Sequence, residues 1–262
     1  MIDANWILGS VAAPLRRRIK RSRAGTAVTD DRLRALFPEA TLAERQILLD
    51  VKPYTMTSWE RLWALVESVR YVHERRLDGD FVECGVWRGG SSMAAALAFT
   101  LVGDTTRHLH LFDTFEGMSQ PTDADRQLSS GQQAMDTWLR SRTDEGSNWC
   151  QASIEDVDAN LARTHYPRER IHLIRGKVEE TLQVPAHLPG RIAILRLDTD
   201  WYESTKAELE HLFQRVTPGG VVIFDDYGHW AGAKKAVDEF LATQPPYFLH
   251  RIDETGRLLI RM

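Results

Sequence analysis

The residues best suited to chemistry are four aspartates: Asp198 and Asp200 in ILRLDTDW, and Asp225 and Asp226 in VVIFDDYG. Each pair closes a short apolar run of the kind that forms a buried strand. The segment between them has helical spacing, with Pro218-Gly219-Gly220 read as the stop of that helix. A strand, a helix and a strand make a parallel crossover, so both strand ends face the same edge of a sheet, where open α/β folds bind ligands. Four carboxylates gathered there oppose one another's ionisation unless protons or a cation neutralise them. An all-oxygen donor set selects a hard divalent ion such as magnesium, calcium or manganese, and no Cys or His spacing points to zinc. The competing reading is structural, since Asp before a helix commonly caps it. That reading suits any one of the four better than it suits the set.

The elements that position these acids form an alternating series. Residues 80–84 read as a first strand, 85–98 as a turn opening a helix, 108–113 as a second strand, 154–164 as a helix and 170–175 as a third strand. The acidic unit supplies the fourth and fifth strands, 232–241 is helical, and YFLHRI-DETG-RLLIRM reads as a hairpin. The expected fold is an α/β, Rossmann-like doubly wound sheet with one antiparallel strand inserted near its edge. Gly85, Gly89 and Ser91 belong to the turn after the first strand, where glycine permits close approach of a ligand and the helix start offers free N–H groups. A dinucleotide fingerprint would need glycine at Trp87, and a P-loop would need Lys-Ser or Lys-Thr after its second glycine. A carboxylate or amino acid moiety therefore fits this turn better than a phosphate. Asp113 ends the second strand, placed either to accept from both ribose hydroxyls of an adenosine or to cap a turn. Gly176 and Val178 follow the third strand and could flank an adenine edge.

Residues 29–50 suit two helices separated by Pro38, and another starts at about Ser58, with Thr57 and Glu60 at capping-box spacing. The polar stretch 120–146 exceeds the usual length of a connection and reads as a helical insertion or a lid. A length of 262 residues suits one α/β domain with additions, and the net charge of −4 argues against a nucleic-acid partner. No apolar run approaches the roughly 20 residues of a membrane span. The apolar stretch near the start precedes the basic cluster 16–23, the reverse of a secretory signal, so a cytoplasmic location is expected. That cluster reads as a solvated arm, with an anionic membrane surface as its alternative. Cys84 and Cys150 have no metal or redox spacing.

Five segments, YTMTSWERL, GDFVECGVWRGGSS, LFDTFEGM, LRLDTDWYEST and PGGVVIFDDYGHWAGAKKAVDEF, together resemble the metal- and S-adenosylmethionine-dependent O-methyltransferases of the macrocin O-methyltransferase type, which modify sugars on natural products. The resemblance spans about Pro53 to Phe240, with the motifs in order. It implies a class I methyltransferase fold with a seven-stranded sheet and a C-terminal antiparallel hairpin. The N-terminal arm and helices would occupy 1–56 and the methyltransferase domain 57–262. It also implies that Asp198, Asp225 and Asp226 hold a divalent ion, usually Mg2+, and that Asp200 is the base. Glu83, Gly85 and Asp113 would bind S-adenosyl-L-methionine, with Met56 and Thr57 near its amino acid end. The implied substrate is a small-molecule glycoside or glycan, and the implied assembly a homo-oligomer. A catechol or phenolic acceptor, or a non-catalytic protein that binds the cofactor or its product, are the alternatives. His229 is a second candidate for proton transfer, and Trp201 or Tyr227 for contact with the acceptor.

Overall fold

Parallel strands covered on both faces need continuous apolar runs rather than alternation, and such runs form the centre of this sheet. The computed structural model describes residues 29–144 and 146–262; the basic cluster 16–23 lies outside them. Strands β1 (Asp80–Cys84), β2 (Leu109–Asp113), β3 (Ile171–Arg175), β4 (Ile192–Leu197) and β5 (Val216–Phe224) pair in parallel. The hairpin β6 (His250–Arg251) and β7 (Arg257–Ile260) returns so that β7 lies antiparallel to β5. The order β3-β2-β1-β4-β5-β7-β6 is the seven-stranded arrangement expected of a class I methyltransferase.

The α-helices among the described residues are α1 (Asp30–Leu36), α2 (Leu42–Val51), α3 (Trp59–Glu74), α4 (Gly90–Leu101), α5 (Ala134–Ser141), α6 (Ile154–Ala162), α7 (Val178–Thr181), α8 (Tyr202–Leu212) and α9 (Ala231–Ala242). Contacts group the chain into a unit ending at Ala40 and a unit of Thr41–Met262. Within the second unit α2 packs on α4. A capping box starts α2: the Thr41 hydroxyl accepts from Glu44 N at 3.3 Å while the Glu44 carboxylate accepts from Thr41 N at 2.7 Å. No helix among the described residues is long and apolar enough to cross a membrane.

Two local expectations change. Ser58, not Thr57, caps α3, its hydroxyl accepting from Arg61 N at 3.0 Å; the Thr57 side chain turns inward instead. Pro218-Gly219-Gly220 does not stop the helix, which ends at Leu212, but lies inside β5. Pairing there skips from Ile192 with Val216 to Ile194 with Val221, so the irregular stretch absorbs a proline that has no N–H for the ladder.

Successive strand residues point to opposite faces. Val82, Leu195, Leu197 and Phe224 meet Leu209, Leu212 and Val237 of α8 and α9 on one face. Glu83 and Arg196 point to the other face, where Thr57 and Ser92 of the α3 and α4 layer receive them. The segment expected as an insertion or lid holds one helix, α5, and is hydrogen-bonded to the starts of α8 and α9. Buried Asp125 accepts from Tyr202 N at 2.8 Å and from Thr122 N at 2.7 Å. A Cβ on Gly232 would lie 1.9 Å from Asp125 Oδ1, so α9 can approach only with glycine there. Trp149, Trp201 and Trp230 pack edge to face at centroid distances of 5.0–6.0 Å and fasten the segment from the apolar side.

Candidate active site

At the carboxyl edge of the sheet, a cavity of about 500 Å³ receives the ends of β1, β2, β4 and β5. Asp198, Asp200, Asp225 and Asp226 line it, together with Met56, Thr57, Gly85, Ser91, Asp113, Gly176 and Val178. Glu83 and Gly89 do not line it. Glu83 is buried in the layer below, and Gly89 is the left-handed N-cap of α4, with φ 84°.

The acids divide into three and one. One oxygen each of Asp198, Asp200 and Asp226 lies within 4.8 Å of the others, a set able to hold a metal ion. Asp200 does not reach this position by strand alternation. The strand ends at Leu197, and Asp200 takes a left-handed φ of 72° that bends it back toward Asp198. Asp226 Oδ2 is buried without a hydrogen-bond partner. Asp225 stands apart, accepting from Arg196 Nη2 at 2.5 Å, from Thr57 Oγ1 at 3.1 Å and from Arg61 Nη1.

Electrostatics follow that division. Burial raises the pKa of Asp198 against the opposing pull of Arg196, and Asp225 and Asp226 raise it further. Burial, then Asp200 and Asp225, raise that of Asp226. The Asp200 carboxyl is pushed up to about 7 by burial, with a hydrogen bond to Asp226 opposing and Asp198 and Asp225 adding to the rise. Asp225 goes the other way: burial would raise its pKa, but Arg196 and Arg61 together hold it below the usual carboxylate value.

Arg196 and Arg61 were not singled out from the sequence. Arg196 interrupts the apolar run of β4 and is 2% exposed, and a buried charge requires partners. That interruption was the available signal. Its Nη1 donates to Glu83 Oε1 at 2.6 Å and to Asp198 Oδ2 at 2.7 Å. Arg61, in the first turn of α3, also binds Asp253 Oδ2 at 2.9 Å in the β6–β7 turn, where Thr255 reaches the cavity wall.

The other end of the cavity is built from backbone. Asp113 accepts from Val86 N at 2.7 Å, Trp87 N at 3.1 Å and Phe115 N at 2.7 Å, which folds the glycine turn around its carboxylate. Burial raises the Asp113 pKa even against these bonds. Gly85 has φ 84°, and a Cβ on it would lie 2.0 Å from the Asp198 carbonyl oxygen, so the glycine turn and the acidic turn touch at this residue.

The expected acceptor contacts move. Trp201 is 2% exposed and donates from Nε1 to Ser119 O at 3.0 Å, while the Tyr227 hydroxyl donates to Asp238 at 2.7 Å. Neither lines the large cavity; Trp149, Trp230 and His229 do. Burial, then Arg61, lowers the His229 pKa.

Residues 31–259 match the macrocin-O-methyltransferase (TylF) family. The chain belongs to this family. Among members of known role, it is 37% identical over 174 residues to the 8-demethyl-8-(2,3-dimethoxy-alpha-L-rhamnosyl)-tetracenomycin-C 4'-O-methyltransferase of Streptomyces olivaceus, covering 66% of this chain and 62% of that one. The matched part therefore spans less than two thirds of that relative's length. Demethyldecarbamoylnovobiocin O-methyltransferase of Streptomyces niveus is 31% identical over 189 residues, or 72% of this chain and 68% of its own. Among solved structures, the O-methyltransferase NovP superposes with a TM-score of 0.66 at 30% identity, covering 79% of this chain and 82% of NovP. The family's fold is thus the one seen here.

Proposed function

We propose that the protein is an S-adenosylmethionine- and divalent-metal-dependent O-methyltransferase that acts on a sugar hydroxyl of a glycosylated natural product, in antibiotic biosynthesis. The observation that carries this reading is the meeting of the glycine turn and the acid cluster in one cavity. Clustered carboxylates, raised pKa values and the unpartnered Asp226 Oδ2 fit a hard divalent ion such as Mg2+. In this reading Asp198 and Asp226 hold the ion and Asp225 completes the set. Asp225 already accepts four hydrogen bonds from Arg196, Arg61 and Thr57, so it joins the set by yielding one of them to the ion.

A divalent ion held there would supply Lewis acidity, lowering by several units the high pKa of a sugar hydroxyl beside it. S-adenosylmethionine, when bound, supplies the methyl group on its sulfonium. The remaining work belongs to the chain. Asp200, on the cavity wall beside Asp198 and Asp226, takes the hydroxyl proton. Gly85, Ser91, Met56 and Thr57 orient the amino acid end of the cofactor, Asp113 its ribose, and Gly176 and Val178 its adenine. Glu83 and Gly89 serve the same site from below, by fixing the start of α4. Trp149 and Trp230 wall the acceptor side against water.

Calorimetry of S-adenosylhomocysteine with magnesium, calcium or chelator, followed by methyl transfer to glycosylated and phenolic acceptors, tests the reading. Binding and ion-dependent transfer to glycosides are expected. Transfer to phenols alone would move the acceptor class to catechols, binding without transfer would leave a non-catalytic cofactor-binding protein, and no binding would end the reading. A cytoplasmic location and a homo-oligomer formed through the N-terminal helices belong to the same proposal. A single monomer peak in light scattering would remove the oligomer.

A further inference from the structure

We infer that Arg196 is a positioning residue that couples the two ends of the cavity, so that occupancy of the acid cluster by a divalent ion tightens binding of the adenosyl cofactor. The inference rests on the methyltransferase reading and adds to it a linkage between its two ligands.

The coupling has a continuous physical path. Arg196 and Glu83 are register partners on adjacent strands β4 and β1. The same nitrogen, Nη1, serves Glu83 at 2.6 Å and Asp198 at 2.7 Å, while Nη2 serves Asp225 at 2.5 Å and Thr57 at 3.3 Å. Glu83 passes the contact on, because its other oxygen accepts from the Ser92 hydroxyl in the first turn of α4, beside the cavity-lining Ser91. Arg196, Glu83, Ser92 and Asp225 are all buried, at 0–3% exposure, so water does not replace a bond that weakens.

A divalent ion among the acids competes with the guanidinium for Asp198 and Asp225. Arg196 then leans on Glu83, the one carboxylate of the three that lies away from the cavity, and Glu83 holds the α4 start more firmly. Lysine cannot reproduce this arrangement. Its ammonium is a point charge without the planar fork that reaches several acceptors at fixed angles. Burial and charge alone would also be met by a purely structural arginine, but such a residue would not link two binding constants.

The test is the ratio of the S-adenosylhomocysteine Kd in chelator to that in saturating magnesium, by calorimetry on the full chain. A wild-type ratio of about fivefold or more, the lower end of ordinary coupling, is expected, falling toward one in Arg196→Lys and in Glu83→Gln. Glu83→Gln keeps the shape of the side chain, so it decides the question if Arg196→Lys fails to fold by circular dichroism. A wild-type protein that binds both ligands with a ratio of one overturns the inference and leaves the methyltransferase reading standing. An undiminished ratio in Glu83→Gln overturns it too, by placing the coupling in a direct interaction between the ligands. Absence of S-adenosylhomocysteine binding by wild type overturns both.

Discussion

Two clusters of ionisable side chains sit at opposite edges of the same parallel sheet. The aspartates follow the carboxyl ends of β4 and β5; Asp80, His108, His110 and His172 gather at the amino ends of β1, β2 and β3. In the second cluster, Arg170 donates to His108 Nε2 at 2.7 Å, so His108 Nδ1 carries the hydrogen directed at His172 Nε2, also at 2.7 Å. Asp80 accepts from His108 N at 2.9 Å and lies 3.4 Å from His110 Nε2. The histidine rings stack at centroid distances of 4.9 Å. Those groups satisfy one another, whereas the aspartates leave Asp226 Oδ2 with no partner and face a cavity. Clustering of titratable groups is therefore a poor guide to a site. Unused bonding capacity beside open volume is the better one.

The largest effect that could break this contrast concerns Asp200. Asp200→Asn is expected to lower kcat by about 100- to 10,000-fold while S-adenosylhomocysteine and the divalent ion still bind; unchanged turnover would take proton transfer away from Asp200. Next comes the ion itself. An ion at about 100 times its Kd stabilises by about 2.7 kcal/mol, or roughly 5–10 °C in Tm for a chain of this size. Differential scanning fluorimetry with magnesium and with chelator should show this shift in wild type and lose it in Asp226→Asn.

A smaller effect belongs to the histidine end. Burial, then His110 and His108, lowers the His172 pKa, so the unfolded chain binds the extra proton first. Stability is complete above the unfolded value of about 6.5 and is lost as pH falls below it. The Tm of His172→Phe should fall less between pH 7.5 and 5.5 than that of wild type, by about 1–2 °C. The opposing case is Asp80, whose pKa is lowered by bonds from His110 and His108 that outweigh burial; its contribution is lost only as pH falls through the acid range below about 4. The smallest expected effect is none: His108→Gln should leave both ligand affinities within about twofold, because sites this remote from the acids act independently.

The sequence made one side of this contrast legible. Aspartates that end apolar runs announce both their strand and its edge, and the alternation of strands and helices led to a doubly wound sheet with an antiparallel strand near its edge, as observed. Residues whose role comes from three-dimensional neighbours stayed hidden. Arg196 looked like a blemish in an apolar run, yet its partners come from β1, β5 and the segment before α3, as much as 139 residues away in the case of Thr57. Trp201 and Trp230 flank the acids equally well in sequence, but only the structure shows that the insertion covers Trp201 and leaves Trp230 on the cavity. Pro218-Gly219-Gly220 misled because a helix stop and a strand irregularity use the same residues.

The hairpin has a consequence for how the protein matures. Strand β7 lies along β5 beneath the acidic turn, and the loop before it supplies Asp253 to Arg61 and Thr255 to the cavity. During synthesis from the N-terminus, the glycine turn and the aspartates emerge well before residues 253–260, so a nascent chain holds its charged groups without the strand that braces them. The cavity wall at Thr255 and the Arg61 contact are thus completed only once this hairpin has formed.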